Sequence, residues 1–125
     1  MLNIWDVYWG LRVEQCPCDV HFVEWLEEQG LIILERNFRC RQGEIDLIAL
    51  DEDVLVFVEI KYRRTRNTGF AIEAVNPRKQ VVIRRVAQYY LLKKRKSENV
   101  PCRFDVLGFD GARVTWIKNA YEERR

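Results

Sequence analysis

Apolar residues fill both faces of residues 43–61 in a pattern that predicts two consecutive strands. The run GEIDLIALDEDVLVFVEIK has apolar residues at most positions on either side of an acidic turn at Glu52-Asp53. Strands that are apolar on both faces belong to the centre of a sheet that is covered on both sides. The pattern therefore predicts an α/β sandwich rather than an open antiparallel meander.

The rest of the chain predicts two helices and three further strands. Apolar residues recur at helical spacing over residues 19–29, and Gly30 follows as a stop signal. A second amphipathic helix is predicted to begin near Pro77 and to run to about Lys96. The remaining predictions are strands over residues 31–39, 103–109 and 113–117, and a charged tail over residues 119–125.

The length of 125 residues predicts one domain, with residues 1–15 left unassigned. Near the start, Trp5, Tyr8 and Trp9 indicate either a short segment packed on the domain, which we favour, or an arm that binds a partner. No secretory signal is visible because Asp6 interrupts the first apolar run, and no stretch reaches the roughly 18 apolar residues of a membrane span. We therefore expect a cytoplasmic protein with no membrane partner.

The net charge of +2 conceals a strongly basic third of the chain. Between Lys61 and Lys96 lie 12 Lys or Arg residues and one acidic residue, Glu73, which gives this segment a charge of +11. Such a concentration is typical of proteins that bind a polyanion. Part of it is structural, because cations near a helix C-terminus favour the helix dipole. We predict that DNA phosphates are bound by Arg63, Arg64, Arg66, Arg78, Lys79, Arg84 and Arg85.

Polar residues occupy one end of one face of the predicted hairpin. If the turn has an even number of residues, partners have numbers that sum to 105, and Asp46 lies opposite Glu59. Opposed Cβ atoms are about 4.5–5.5 Å apart, so the two carboxylates could share an ion. A three-residue turn would put them on opposite faces. The same register sets Glu44 opposite Lys61 and turns Ile45 to the other face.

Two carboxylates on neighbouring strands suit a divalent cation with oxygen ligands, Mg²⁺ or Mn²⁺. Asp46 and Glu59 would hold the ion, with the carbonyl of Ile60 as a third ligand and Lys61 orienting or deprotonating water. Asp19 is either a helix N-cap or a further carboxylate directed at the ion. The residues alone leave one alternative open, a cross-strand cluster of salt bridges without metal.

The segment LERNFRCRQGEIDLIALDEDVLVFVEIKYRRT resembles the signature of the bacterial YraN family, small endonuclease-like proteins similar in fold to archaeal Holliday-junction resolvases. The resemblance implies a restriction-endonuclease-like fold, a three-layer α/β sandwich whose central mixed sheet of about five strands is flanked by helices. It also implies a D…E-x-K metal site on Asp46, Glu59 and Lys61, supported by Gln80 on the following helix. Where the family opens its first helix with Gly-Glu, this chain has Cys18-Asp19.

Residues and resemblance together predict a Mg²⁺- or Mn²⁺-dependent endonuclease that hydrolyses phosphodiester bonds in DNA, including branched DNA in recombination or repair. The alternative is a non-catalytic nucleic-acid-binding or scaffold protein that retains the fold. Because Holliday-junction resolvases cut as dimers, the resemblance also raises a homodimer as an expectation.

Overall fold

The computed structural model describes residues 18–63, 76–94, 100–110 and 113–121. The chain divides after Ile33 into two compact units. The first unit contains α1 (Cys18–Glu28), which ends ahead of Gly30, whose φ of 102° suits a residue without a side chain. On this helix Phe22 and Leu26 are fully buried. In the described ranges, neither helix is long and apolar enough to span a membrane.

The strands form one five-stranded mixed sheet in the order β1-β2-β3-β4-β5. They are β1 (Ile32–Cys40), β2 (Gly43–Asp51), β3 (Val54–Arg63), β4 (Cys102–Asp110) and β5 (Arg113–Tyr121). β3 and β4 pair in parallel, whereas β2 with β3 and β4 with β5 are antiparallel. The predicted α/β class and mixed sheet of about five strands are confirmed, and the architecture is consistent with a restriction-endonuclease-like sandwich.

Helix α2 (Pro77–Lys93) connects the parallel strands β3 and β4 and packs on β2. Asn76 caps it, because the side chain of Asn76 accepts a hydrogen bond of 2.9 Å from the backbone N–H of Lys79, and Pro77 suits the first turn. Its buried stripe consists of Ile83, Val86, Ala87, Tyr90 and Leu91. The stripe forms one core cluster with Ile48, Leu55, Phe57, Phe104 and Val106 of the sheet.

The β2–β3 hairpin has the two-residue turn on which the predicted register depends. Glu52 has a φ of 55°, the left-handed conformation found in the tight turns that match the twist of a hairpin. Leu47 pairs with Val58 and Leu50 with Leu55, so partner numbers sum to 105 as predicted. Both faces are buried, as the apolar pattern required.

The alternation of β2 breaks at Asp46 and Leu47, where the paired register ends. Ile45 and Ile48 both belong to the core cluster of α2, although residues three apart in a regular strand face opposite sides. The prediction that Ile45 faces away from the carboxylates' side is therefore wrong. A local irregularity turns the first residues of β2 toward α2.

Gly43 opens β2 at a close approach to α2. Its φ is 153°, and a Cβ built there would lie 2.6 Å from Cγ1 of Val82 and 3.5 Å from Cγ2 of Val86. Both the backbone conformation and the lack of space exclude a side chain. Gly43 therefore allows the contact between the helix and the strand that carries Asp46.

Strand β5 continues to Tyr121, so the prediction of a charged tail from residue 119 is wrong for residues 119–121. Its register with β4 shifts between Phe104 and Val106, and Asn119 adopts a φ of 55°. These are the signs of a β-bulge, which inserts extra residues into one strand of a pair. The bulge interrupts the two-residue alternation by which a strand is recognised in sequence.

Candidate functional site

Asp46 on β2 and Glu59 on β3 come together at one end of the hairpin. The backbone N–H of Ile60 donates a hydrogen bond of 2.8 Å to Oδ2 of Asp46, which joins this carboxylate to the strand of Glu59. Glu59 is only 6% exposed, and Asp46 is half-buried. The charge of Glu59 opposes ionisation of the Asp46 carboxyl beside it.

The surroundings raise the pKa of Asp46 well above its ordinary 3.8. Burial is the largest cause, since it disfavours the charged form, and the charges of Glu59 and then Glu44 act in the same direction. The Ile60 amide and the Lys79 ammonium act against them by stabilising the carboxylate. Burial and the charge of Glu59 therefore disfavour the ionised form of Asp46, and a cation bound at this place would stabilise it.

Lys79, in the first turn of α2, brings a cation to the pair. Its Nζ forms an ion pair with Oε2 of Glu59, while half of the Lys79 side chain remains exposed. Burial, the largest influence, acts to lower the pKa of Lys79, but Glu59, Asp46 and Glu44 outweigh it and the pKa is raised. Sequence reasoning assigned Lys79 to phosphates, whereas the structure sets its ammonium against the carboxylates.

Gln80, Arg84 and Tyr121 form a polar group around the same end of α2. Nη2 of Arg84 donates to Oε1 of Gln80 at 3.2 Å, and the Arg84 guanidinium lies 5.5 Å from the centroid of the Tyr121 ring. Burial raises the pKa of Tyr121, the charge of Glu59 raises it further, and Arg84 opposes both. The Tyr121 phenol is thus within electrostatic reach of Glu59. Sequence reasoning missed Tyr121 because it lay in the predicted tail.

Lys61 is half-exposed on β3, two residues beyond Glu59. Among the described residues, no carboxylate pairs with its ammonium. Glu44, its expected partner, instead pairs with Arg39 of β1, whose Nε lies 3.4 Å from Oε1 of Glu44. Ile60 contributes its amide to the site, and the ligand role of its carbonyl stays a prediction.

The other predicted residues lie on the surface of α2 or outside the described residues. Arg78 and Arg85 are exposed on the helix. Arg64 and Arg66, together with the side chains of Asp19 and Arg63, lie outside the described residues. Within that described part of the chain, no three His, Cys, Asp or Glu side chains gather into a metal site. Among the described residues, Asp46 and Glu59 are the two carboxylates that would lie near an ion. Two protein carboxylates are common for Mg²⁺, because water and substrate phosphates supply its other ligands.

A second buried carboxylate, Asp105 on β4, has a different environment. It is fully buried and accepts hydrogen bonds from Nε of Arg103 at 3.0 and 3.1 Å, from Nε1 of Trp116 at 2.9 Å and from the backbone N–H of Asn119 at 2.9 Å. Nη2 of Arg103 lies 3.0 Å from Oδ2 of Asp51, within ion-pair distance, although the hydrogen-bond geometry is poor. Asp105 therefore holds the β5 bulge in place and is itself fully neutralised.

Comparison with known proteins identifies the family. The sequence pattern described as "Uncharacterised protein family UPF0102" matches residues 21–109. A UPF0102 protein of Lachnoclostridium phytofermentans is 45% identical over 111 residues, which cover 89% of this chain and 94% of that protein. A UPF0102 protein of Colwellia psychrerythraea is 47% identical over 103 residues, covering 78% of this chain and 80% of that protein. The predicted family resemblance is thus confirmed, and the chain belongs to the uncharacterised protein family UPF0102.

Proposed function

We propose that this protein is a metal-dependent endonuclease that hydrolyses phosphodiester bonds in DNA. The observation that carries the proposal is the pair Asp46 and Glu59, held on neighbouring strands where burial and the charge of Glu59 disfavour ionisation of Asp46. A purely structural carboxylate in the same sheet, Asp105, is surrounded by donors. The contrast supports a cation-binding role for the pair, since buried charges in a structural site are normally paired and hydrogen-bonded.

The donors fit Mg²⁺ or Mn²⁺, which prefer carboxylate and carbonyl oxygens. Asp46 and Glu59 would hold the ion, with the carbonyl of Ile60 as a third protein oxygen. A bound ion would stabilise developing charge on the phosphate and lower the pKa of a bound water. Lys61, two residues beyond Glu59 on the same strand, would orient that water or stabilise the leaving group.

The other side chains near the pair would position the substrate rather than hold the ion. Gln80 is hydrogen-bonded to Arg84, and the Arg84 guanidinium is placed over Tyr121. A fixed guanidinium suits a phosphate oxygen because its donors form a planar fork. Arg78 and Arg85 on α2, with Arg63, Arg64 and Arg66 before it, would hold flanking phosphates. These contacts are independent of sequence and weaken with salt.

A cleavage assay tests the proposal. Purified protein is incubated with branched, single-stranded and duplex DNA in Mg²⁺, Mn²⁺ or chelator, beside the variants Glu59→Ala and Lys61→Ala. We expect cleavage that requires metal and falls at least about a hundredfold in each variant, since each loses a group that acts on the transition state. Arg39→Ala, on the exposed partner of Glu44, controls for the effects of purification and surface charge.

The outcomes separate the candidate functions. Equal cleavage by wild type and both variants would assign the activity to a contaminant and reject the site. DNA binding without cleavage in any metal would favour the non-catalytic scaffold. The proposal extends to a cytoplasmic protein that acts on branched DNA as a homodimer, since two sites allow paired cuts. Sedimentation of the protein with and without a four-way junction tests that oligomeric state.

A further inference from the structure

The first turn of α2 carries two cations where helix energetics favour anions. Asn76 is the N-cap, and Pro77, Arg78 and Lys79 follow it, with no acidic residue in the turn. The partial positive charge of a helix N-terminus stabilises Asp and Glu and opposes Lys and Arg. The third helical position, that of Lys79, is also where Glu or Gln completes a capping box. The energetics of the helix therefore do not favour a lysine at position 79. The group that contacts the Lys79 side chain must account for its presence.

That partner is the carboxylate pair. The Lys79 ammonium contacts Oε2 of Glu59, a residue that is almost completely buried, and the charges of Asp46 and Glu44 act on it as well. The capping bond from Lys79 N–H to Asn76 fixes the backbone from which the side chain extends. Half of the side chain is exposed, so the ammonium can move without disturbing the core.

A divalent cation at the pair would need the same Glu59 carboxylate. Two cations at one carboxylate repel each other, so the bound ion and the ammonium exclude one another from Oε2. We infer that Lys79 is the counter-ion of the metal-free site, that a divalent cation displaces it from Glu59, and that the displaced ammonium then contacts a substrate phosphate. This inference rests on the metal site of the proposed function. Lys79 keeps its proton throughout, so the exchange requires no further reactant.

Calorimetric titration with Mn²⁺ measures the exchange without relying on activity. The full chain is compared as wild type, Lys79→Met, Lys79→Arg and Arg78→Met, the last removing an exposed charge from the same helical turn. Because Lys79→Met removes the competing cation, we expect it to bind Mn²⁺ roughly fivefold more tightly than wild type. Lys79→Arg should match wild type, and Arg78→Met should stay within about twofold, since its charge is solvated.

If Lys79 only stabilised the position of Glu59, the Mn²⁺ affinities of the variants would differ from those expected here. Equal or weaker Mn²⁺ binding by Lys79→Met would overturn the inference. If Glu59→Gln bound Mn²⁺ as tightly as wild type, the ion would lie elsewhere, and the proposed function would fall with the inference. Loss of binding in Glu59→Gln together with wild-type affinity in Lys79→Met would reject the inference alone.

Thermal unfolding gives a second readout. In chelator, Lys79→Met should unfold at a lower temperature than Arg78→Met, because the two carboxylates lose their counter-ion. Added Mn²⁺ should then raise the midpoint of Lys79→Met more than that of wild type, since a more tightly bound ligand stabilises the folded state more. An equal Mn²⁺-induced rise in both proteins would count against displacement.

Discussion

The described strands contain two buried carboxylates, Asp105 and Glu59, in different surroundings. Hydrogen-bond donors enclose Asp105, whereas Glu59 lies near a second carboxylate, Asp46. Asp105 receives two bonds from the Arg103 guanidinium, one from the Trp116 indole and one from the backbone of the bulge. Asp46 accepts one hydrogen bond from the backbone and is repelled by the charge of Glu59. The cation beside this pair is the half-exposed ammonium of Lys79, which forms an ion pair with Glu59. The sequence places seven acidic residues in the five strands and does not distinguish these cases.

The difference separates a structural carboxylate from the pair that we propose binds a cation. A buried charge whose donors are complete stabilises only the arrangement that supplies them, here the β4–β5 bulge. A pair with repulsion between its members costs folding free energy unless a cation binds there. Such departures from local consistency are concentrated at functional sites. The same substitution at Asp105 and at Asp46 should therefore have opposite effects on stability.

The largest effect is expected for Asp105→Asn. The amide cannot accept from Arg103, Trp116 and Asn119 as a carboxylate does, and the Arg103 guanidinium loses its main counter-ion. We expect the free energy of unfolding to fall by about 3 kcal/mol, the usual cost of breaking a buried ion pair. Urea unfolding in chelator measures it. A loss below that of an exposed substitution such as Glu52→Gln would mean that Asp105 is not a structural anchor.

A smaller effect is expected when cations are removed beside each site. The double variant Arg84→Gln, Arg85→Gln should bind duplex DNA roughly tenfold more weakly at moderate salt, and the slope of log affinity against log salt should fall by about two. Lys118→Gln is the matched control, because Lys118 is exposed near the neutralised site, where its ammonium lies 4.5 Å from the centroid of the Trp116 ring. Equal losses in the two proteins would show that DNA does not select the α2 surface.

The smallest effect, and the one of opposite sign, is expected for Asp46→Asn in chelator. Because folding raises the pKa of Asp46, the contribution of this group to stability is fully present below its ordinary value of 3.8 and is lost as pH rises through the folded value. Asn stays neutral and can still accept from the Ile60 amide. We therefore expect a melting temperature roughly a few degrees above wild type near neutral pH.

The pH dependence provides the check on that sign. The advantage of Asp46→Asn should shrink as the pH of the thermal melts falls toward about 4, where wild-type Asp46 is also protonated. A variant that is less stable than wild type at every pH would contradict the view that the pair is under repulsion. It would instead place Asp46 in the same class as Asp105.

The hairpin and its register from Leu47 and Val58 to the turn could be predicted because the information is local. A two-residue turn and continuous apolar runs set which residues face each other, and Leu47 and Val58 pair accordingly. The start of α2 was equally local, since Pro77 favours the first turn of a helix. The family signature added D…E-x-K roles for Asp46, Glu59 and Lys61, and those roles remain predictions.

What the sequence could not reveal depends on contacts between distant elements. The end of β5 was missed because its bulge is stabilised by Asp105, on another strand, rather than by neighbouring residues. The position of Ile45 follows from an irregularity in β2 that no residue type in the strand indicates. In the sequence, Lys79 could not be distinguished from the other basic residues of its segment. Its contact with Glu59 depends on how α2 packs on the sheet. The one available hint was a lysine in the first turn of a helix.

Gly43 has no side chain, yet the geometry of the candidate site depends on it. The absent side chain lets β2 approach Val82 and Val86 of α2, and the same helix carries Lys79, Gln80 and Arg84. An added methyl group at Gly43 would push α2 and β2 apart. Lys79 and Arg84 on the helix would then lie farther from Asp46 on the strand. The distance between the cations of α2 and the carboxylate of β2 is thus determined by how closely the helix packs on the strand at Gly43.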